Sequence, residues 1–248
     1  MGRRDDTARR NDIASALAAV RTRLDAACRD AGRDPAEVVL LPVTKFFPAS
    51  DVRTLYDLGC REFGESREPE ASTKIAEFRA DSGVVDVVRW HMIGRLQRNK
   101  VRSVVRWADT VHSVDSVRLA DTLDAAVGVA RDDGTRSGPL EVLLQVSLDT
   151  DPARGGVAVE EVDALAAHVA ASPNLALRGL MSVPPVDSDP DQAFAWLAVV
   201  HAGVLRDHPA ATVLSAGMTG DLEAAIRHGS TCVRVGTAIL GQRPIISA

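Results

Sequence analysis

Three groups of residues in this 248-residue sequence could do chemistry together. Lys45 follows the apolar run EVVLLPVT at 37–44, whose composition is that of a strand buried on both faces. An amine at the end of such a strand would be partly desolvated, which favours a neutral, nucleophilic fraction able to attack a carbonyl and form a Schiff base. Far along the chain stand two turns that combine glycine with hydroxyl, 215–220 (SAGMTG) and Gly236-Thr237. Glycine lets main-chain amides approach an anion, and a hydroxyl adds a donor, so the two turns together have the makings of a phosphate site. Taken singly, Gly217 and Gly220 suit a tight turn, and Ser215 or Thr219 a helix cap. Arg234, just ahead of the second turn, could bond a phosphate or face a ring nitrogen as a permanently charged partner.

The scarcity of lysine sharpens the reading of Lys45. The chain has three lysines (Lys45, Lys74, Lys100) against 26 arginines, as though positions needing only a positive charge had drifted to arginine. Codon bias covers Lys74 and Lys100; Lys45 stands where an amine has work that arginine cannot do. The six histidines (His91, His112, His168, His201, His208, His228) show no metal-binding spacing, and the last four fall on or beside outer helices. His91 lies within a strand run and reads as a buried structural histidine. Asp221 is best explained as first-turn stabilisation of the helix that follows it.

The elements that must position these residues alternate. A helical stripe of Ile13, Leu17, Val20, Leu24 and Cys28 opens the chain, with Asn11 or Asp12 as its cap and Gly32 closing it. Strands are expected at 37–44, 61–63, 84–93, 110–114, 141–148, 177–183, 212–214 and 232–235. Helices are expected after them at 48–59, 67–80, 95–107, 116–131, 159–171, 190–206, 219–228 and 237–240. Eight strand–helix units in this length predict a (β/α)8 barrel, a TIM barrel, with an extra N-terminal helix and a single domain over 1–248. A doubly wound open sheet would carry a glycine-rich fingerprint after its first strand, where this chain reads TKFFPAS.

In such a barrel the active face lies at the C-terminal strand ends. That places Lys45, Ser66, His112, the pair Met181-Ser182, the stretch Ser215 to Asp221 with Met218 and Thr219, and Arg234, Gly236 and Thr237 around one mouth. The turns after strands seven and eight are the usual phosphate site of the fold. A lone mouth lysine beside a phosphate site suggests a phosphorylated aldehyde held as a Schiff base, either pyridoxal 5'-phosphate or the sugar phosphate of an aldolase.

Charge and composition exclude other classes. A net charge of −5 argues against general affinity for nucleic acid or an anionic membrane. No stretch approaches the roughly 18 uninterrupted apolar residues of a spanning helix. The start MGRRDDTARRND has no signal-like apolar segment behind it, and three cysteines without C-x-x-C suit a reducing compartment, so the cytoplasm is the expected location.

The segments 43–52 (VTKFFPASDV), 63–66 (FGES), 90–100 (WHMIGRLQRNK), 111–116, 143–149, 178–185 and 214–243 resemble the pyridoxal phosphate homeostasis protein family, single-domain relatives of the N-terminal barrel of alanine racemase. The resemblance implies pyridoxal 5'-phosphate linked to Lys45, its phosphate held by Ser215, Met218, Thr219, Gly236 and Thr237, and Arg234 near the pyridine nitrogen. Ser66, Met181 and Ser182 complete the implied cofactor contacts. Ser66 stands where the family usually has Asn, Arg67 where it has an aromatic, and Thr219 where it has Ser. The expected partners are pyridoxal 5'-phosphate and, as recipients, pyridoxal phosphate-dependent apoenzymes, with the chain a monomeric cofactor carrier or buffer. A racemase of this class needs a second acid/base group on the face opposite the lysine, which in its relatives is a tyrosine from a separate domain. The single tyrosine here, Tyr56, falls in the helix after strand one, on the outer ring. A carrier is therefore expected, with a low-rate amino-acid racemase and a Schiff-base aldolase as the alternatives.

Overall fold

A computed structural model describes residues 2–81, 83–148, 155–185 and 187–242. Asp149 and Arg243, the ends of two of the matching segments above, lie outside them. Eight parallel strands run in the order β1-β8-β7-β6-β5-β4-β3-β2. They are β1 Val39–Pro42, β2 Glu62–Glu65, β3 Arg89–Met92, β4 Thr110–Val114, β5 Leu140–Gln145, β6 Leu175–Met181, β7 Val213–Ser215 and β8 Cys232–Val235. A parallel bridge between Val43 and Gly64 joins the two ends of that order and closes the barrel. Strand β4 is buried along its whole length, as continuous apolar runs in a covered parallel sheet should be.

The helices form the outer ring: α1 Gly2–Asp30, α2 Ala49–Asp57, α3 Glu70–Ala80, α4 Val101–Val104, α5 Val117–Asp132, α6 Val162–Ala171, α7 Pro190–Asp207, α8 Leu222–Arg227 and α9 Thr237–Leu240. Helix α1 packs on α2, α8 and α9, so it covers the seam where the barrel begins and ends. Its stripe of Ile13, Leu17, Val20, Leu24 and Cys28 is buried there. Neither Asn11 nor Asp12 caps it, because the helix continues to Gly2. The polar turns ahead of the stripe are held by ion pairs that periodicity does not reveal, Arg9 to Asp51 and Arg10 to Asp57. Arg23 of the same helix pairs with Glu223 and donates to the Thr219 carbonyl at 2.6 Å, supporting the turn after β7 from outside.

Two expected elements lose most of their length. Residues 84–88 do not pair as strand: Val85 and Val87 are exposed, and the amides of Val85 and Asp86 donate to the Tyr56 hydroxyl at 3.1 and 3.0 Å. The expected helix 95–107 reduces to a 3-10 turn, Arg98–Lys100, followed by α4. Arg136 takes the carbonyls of Val105 and Ala108 there, and Glu68 takes the Trp107 indole N–H, so side chains do what a longer helix would have done.

Candidate functional site

The first strand ends in buried Thr44, half-buried Lys45 and Phe46, which has φ 71°. A left-handed phenylalanine is held in place only by its surroundings. Its ring lies between two cations, Lys45 Nζ at 6.0 Å and the Arg67 guanidinium at 5.4 Å from the centroid. The turn after β7 closes because Gly217 has φ 92° and no Cβ, which would stand 2.6 Å from Ala225 Cβ. Gly94 has the same reason on the other side of the mouth, where a Cβ would meet the Ser66 carbonyl at 2.3 Å.

These ends enclose a pocket of about 350 Å³ that brings together Lys45, Met218, Thr219, Arg234, Gly236 and Thr237, with Val43, Phe47 and Ile93 as its apolar walls. Thr219 Oγ1 and Thr237 Oγ1 stand 3.4 Å apart across it. The amides of Thr219, Gly220, Gly236 and Thr237 donate to no protein acceptor among the described residues. The residues that carry these four amides and the two hydroxyls line one cavity. Asp221 does not cap α8 through its side chain; Oδ1 turns back to accept the Met218 amide at 2.6 Å and fixes the turn.

Four expected contacts lie elsewhere. Ser66 lines a neighbouring cleft of about 700 Å³ together with Arg67, Arg95, Arg98, Lys100 and Arg118. Met181, Ser182 and Ser215 are buried beneath the pocket and are absent from its lining. Ser182 and Ser215 hold Arg234 instead. Arg234 Nη1 donates to Ser215 Oγ at 2.7 Å and Nη2 to the Ser182 carbonyl at 2.9 Å. Burial lowers the Arg234 pKa from its ordinary value.

The Ser215 hydroxyl continues into the barrel. Its Oγ is 3.1 Å from His112 Nδ1, His112 Nε2 is 2.9 Å from His91 Nδ1, and His91 Nε2 is 2.9 Å from Glu62 Oε2. Burial first, then the charges of His91 and Arg234, hold the His112 pKa well below its ordinary value. The hydrogen bond from His91 pulls the Glu62 carboxyl down. These contacts run from Arg234 through Ser215, His112 and His91 to the Glu62 carboxylate. Sequence reasoning left this chain unread because its links join five different strands.

It also missed Lys74. Far from a surface cation, Lys74 is buried, with Nζ 2.8 Å from Glu65 Oε1 and 2.8 Å from the Thr44 carbonyl, directly behind the Lys45 turn. The signal was there: one of only three lysines, four residues after Glu70 and nine after a strand-end glutamate.

Comparison with known proteins agrees with this architecture. The profile of the alanine racemase N-terminal domain family matches residues 17–244. The pyridoxal phosphate homeostasis protein of Mycobacterium leprae is 53% identical over 240 residues, covering 94% of this chain and 93% of the relative. The protein of the same name from Escherichia coli K12 is 41% identical over 236 residues, covering 94% and 97%. PipY of Synechococcus elongatus, solved with pyridoxal phosphate bound, superimposes with a TM-score of 0.78 at 32% identity, over 92% of this chain and 100% of that one. Alanine racemase of Corynebacterium glutamicum, at 16% identity and a TM-score of 0.67, shares the fold over 62% of its length. A barrel of this order, matched along nearly its whole length by these relatives, belongs to the pyridoxal phosphate homeostasis protein family.

Proposed function

We propose that this chain binds pyridoxal 5'-phosphate through Lys45 and holds it as a carrier or buffer rather than turning over a substrate. The observation that carries the reading is the pocket itself, which joins the one mouth lysine to a phosphate-sized donor set and a buried guanidinium. When bound, pyridoxal 5'-phosphate supplies an aldehyde that an amine can capture as a Schiff base. Lys45 is the amine in the pocket. Thr219, Gly220, Gly236 and Thr237 offer the phosphate donors, and Val43, Phe47 and Ile93 offer apolar surface to a ring. Arg234, a permanent cation with no acceptor, is suited to a ring nitrogen that stays unprotonated. The names of the relatives and the cofactor in the PipY structure support the same assignment.

The non-enzymatic part of the reading rests on what faces Lys45. Among the described residues no carboxylate, histidine or tyrosine lines the pocket. The Tyr56 hydroxyl is engaged with the 85–86 amides, Ser182 Oγ donates to the Val146 carbonyl at 2.8 Å, and His91 is bonded at both ring nitrogens. Among the described residues, a proton removed on the Lys45 side therefore has no carboxylate, histidine or tyrosine in the pocket to replace it. Among the described residues no helix is long and apolar enough to cross a membrane. The same reading takes the chain as a cytoplasmic monomer that passes the cofactor to apoenzymes. The test is cofactor analysis of purified protein with and without Lys45→Ala: the unaltered chain should carry about one equivalent of an amine-linked chromophore and the variant none.

A further inference from the structure

The turn that carries Lys45 is gripped by side chains that the proposed phosphate and ring contacts do not use. Every polar group of Thr44 is taken: its amide donates to the Gly64 carbonyl at 2.9 Å, its hydroxyl to Glu65 Oε1 at 2.6 Å, and its carbonyl accepts from Lys74 Nζ at 2.8 Å. On the other side of Lys45, the amide of Phe46 donates to Glu70 Oε1 at 2.6 Å. Lys74 links the two sides, because Nζ also reaches Glu65 Oε1 at 2.8 Å and Glu70 Oε1 at 3.4 Å. Its three N–H bonds are thereby used. Glu70 and Lys74 stand one turn apart on α3 and present the same face to the strand end.

Two of its members are buried, Lys74 5% and Glu65 0% exposed, while Glu70 is partly exposed, and Glu65 Oε2 has no hydrogen-bond partner among the described residues. Burial pushes the Glu65 carboxyl up, against the pull of Lys74. A buried ion pair with an unsatisfied oxygen is a weak source of stability compared with apolar packing. Its geometry fits another use.

We propose that Lys74, with Glu65 and Glu70, is a positioning residue that clamps the peptide groups on both sides of Lys45 and so sets where Lys45 Nζ enters the pocket. The inference rests on the reading that Lys45 captures the aldehyde of pyridoxal 5'-phosphate. In that step the neutral Nζ adds to the aldehyde carbon, a carbon–nitrogen double bond forms, and the carbonyl oxygen leaves as water. Such an addition depends on approach direction, and a misplacement of about 1 Å costs on the order of a hundredfold. The phosphate donors sit on other strand ends and do not depend on the clamp.

The test compares two ligands, pyridoxal 5'-phosphate and pyridoxine 5'-phosphate, which has the ring and phosphate but no aldehyde. Lys74→Met should weaken the aldehyde ligand by about tenfold or more and leave the alcohol within about twofold. Lys74→Met leaves Glu65 as a lone buried charge, so Lys74→Met/Glu65→Gln, which removes both charges, is measured beside it and should show the same split. Lys74→Arg, which keeps a donor toward Thr44, should recover part of the loss. Equal loss of both ligands would mean that Lys74 only supports the fold, and unchanged binding of both, or full recovery in the double variant, would mean that the Thr44 anchor is dispensable; each overturns the clamp. Absence of any Lys45 linkage in the unaltered protein would instead overturn the reading beneath it.

Discussion

Arg234 Nη1 donates to Ser215 Oγ at 2.7 Å wholly inside the barrel, so the guanidinium that reaches the pocket is held by a hydroxyl and a carbonyl rather than by a carboxylate. Among the described residues it forms no ion pair, and Asp221 in the turn after β7 is the carboxylate whose charge acts on it. Ser215→Ala removes an acceptor from Arg234 and a partner from His112. The expected result is a loss of about 1–3 kcal/mol in denaturant unfolding, the usual cost of stranding a buried polar group. Cofactor affinity should fall as well, while Lys45 remains the modified residue.

The phosphate donors behave differently. Thr237 is exposed and Thr219 half-buried, so Thr219→Ala and Thr237→Ala should change unfolding free energy by no more than about 0.5 kcal/mol. Each should nevertheless lower retention of pyridoxal 5'-phosphate in equilibrium dialysis. Retention equal to that of the unaltered protein in both variants would remove these hydroxyls from the site.

His112 sets a pH dependence. Its pKa in the folded protein lies well below the ordinary 6.5, so below pH 6.5 the unfolded chain takes up a proton that the folded chain refuses. Stability should therefore fall as pH drops through 6.5 toward the depressed folded value. His201 of α7, lowered by burial, contributes in the same direction. Urea midpoints followed between neutral and mildly acid pH should decline for the unaltered protein and decline less steeply for His112→Gln.

The barrel and the mouth were legible in the sequence because their signals are local. Apolar runs such as 37–44 mark covered strands, and glycine with hydroxyl just past a strand end marks a turn with free amides, so Lys45, Thr219, Gly236 and Thr237 could be gathered around one pocket before any coordinates. Interactions between distant segments were not legible. Lys74 reads like any helix lysine until Thr44 and Glu65 fold against it, and the His91–His112 link depends on the register of neighbouring strands. Residues 84–88 carry a strand's composition, yet Tyr56 takes their amides. The polar start of α1 has no apolar period at all and is held by Asp51 and Asp57, more than forty positions on.

Turnover should be absent. Incubation with D- or L-alanine in deuterium oxide should give no loss of optical rotation, because among the described residues no carboxylate, histidine or tyrosine lines the pocket. Slow deuterium entry at the α-carbon with retained configuration would fit one-sided proton exchange by Lys45. Rapid loss of chirality would overturn the carrier reading, and cleavage of a sugar phosphate would favour an aldolase.

The central claim is that Lys45 is the residue bearing pyridoxal 5'-phosphate, and borohydride reduction of the holoprotein followed by peptide mass analysis tests it most directly. Reduction makes the linkage permanent, so the phosphopyridoxyl mass stays on whichever amine held it. The expected result is that mass on the peptide containing Lys45. Its recovery on Lys74 or Lys100, or on no lysine at all, would contradict the account.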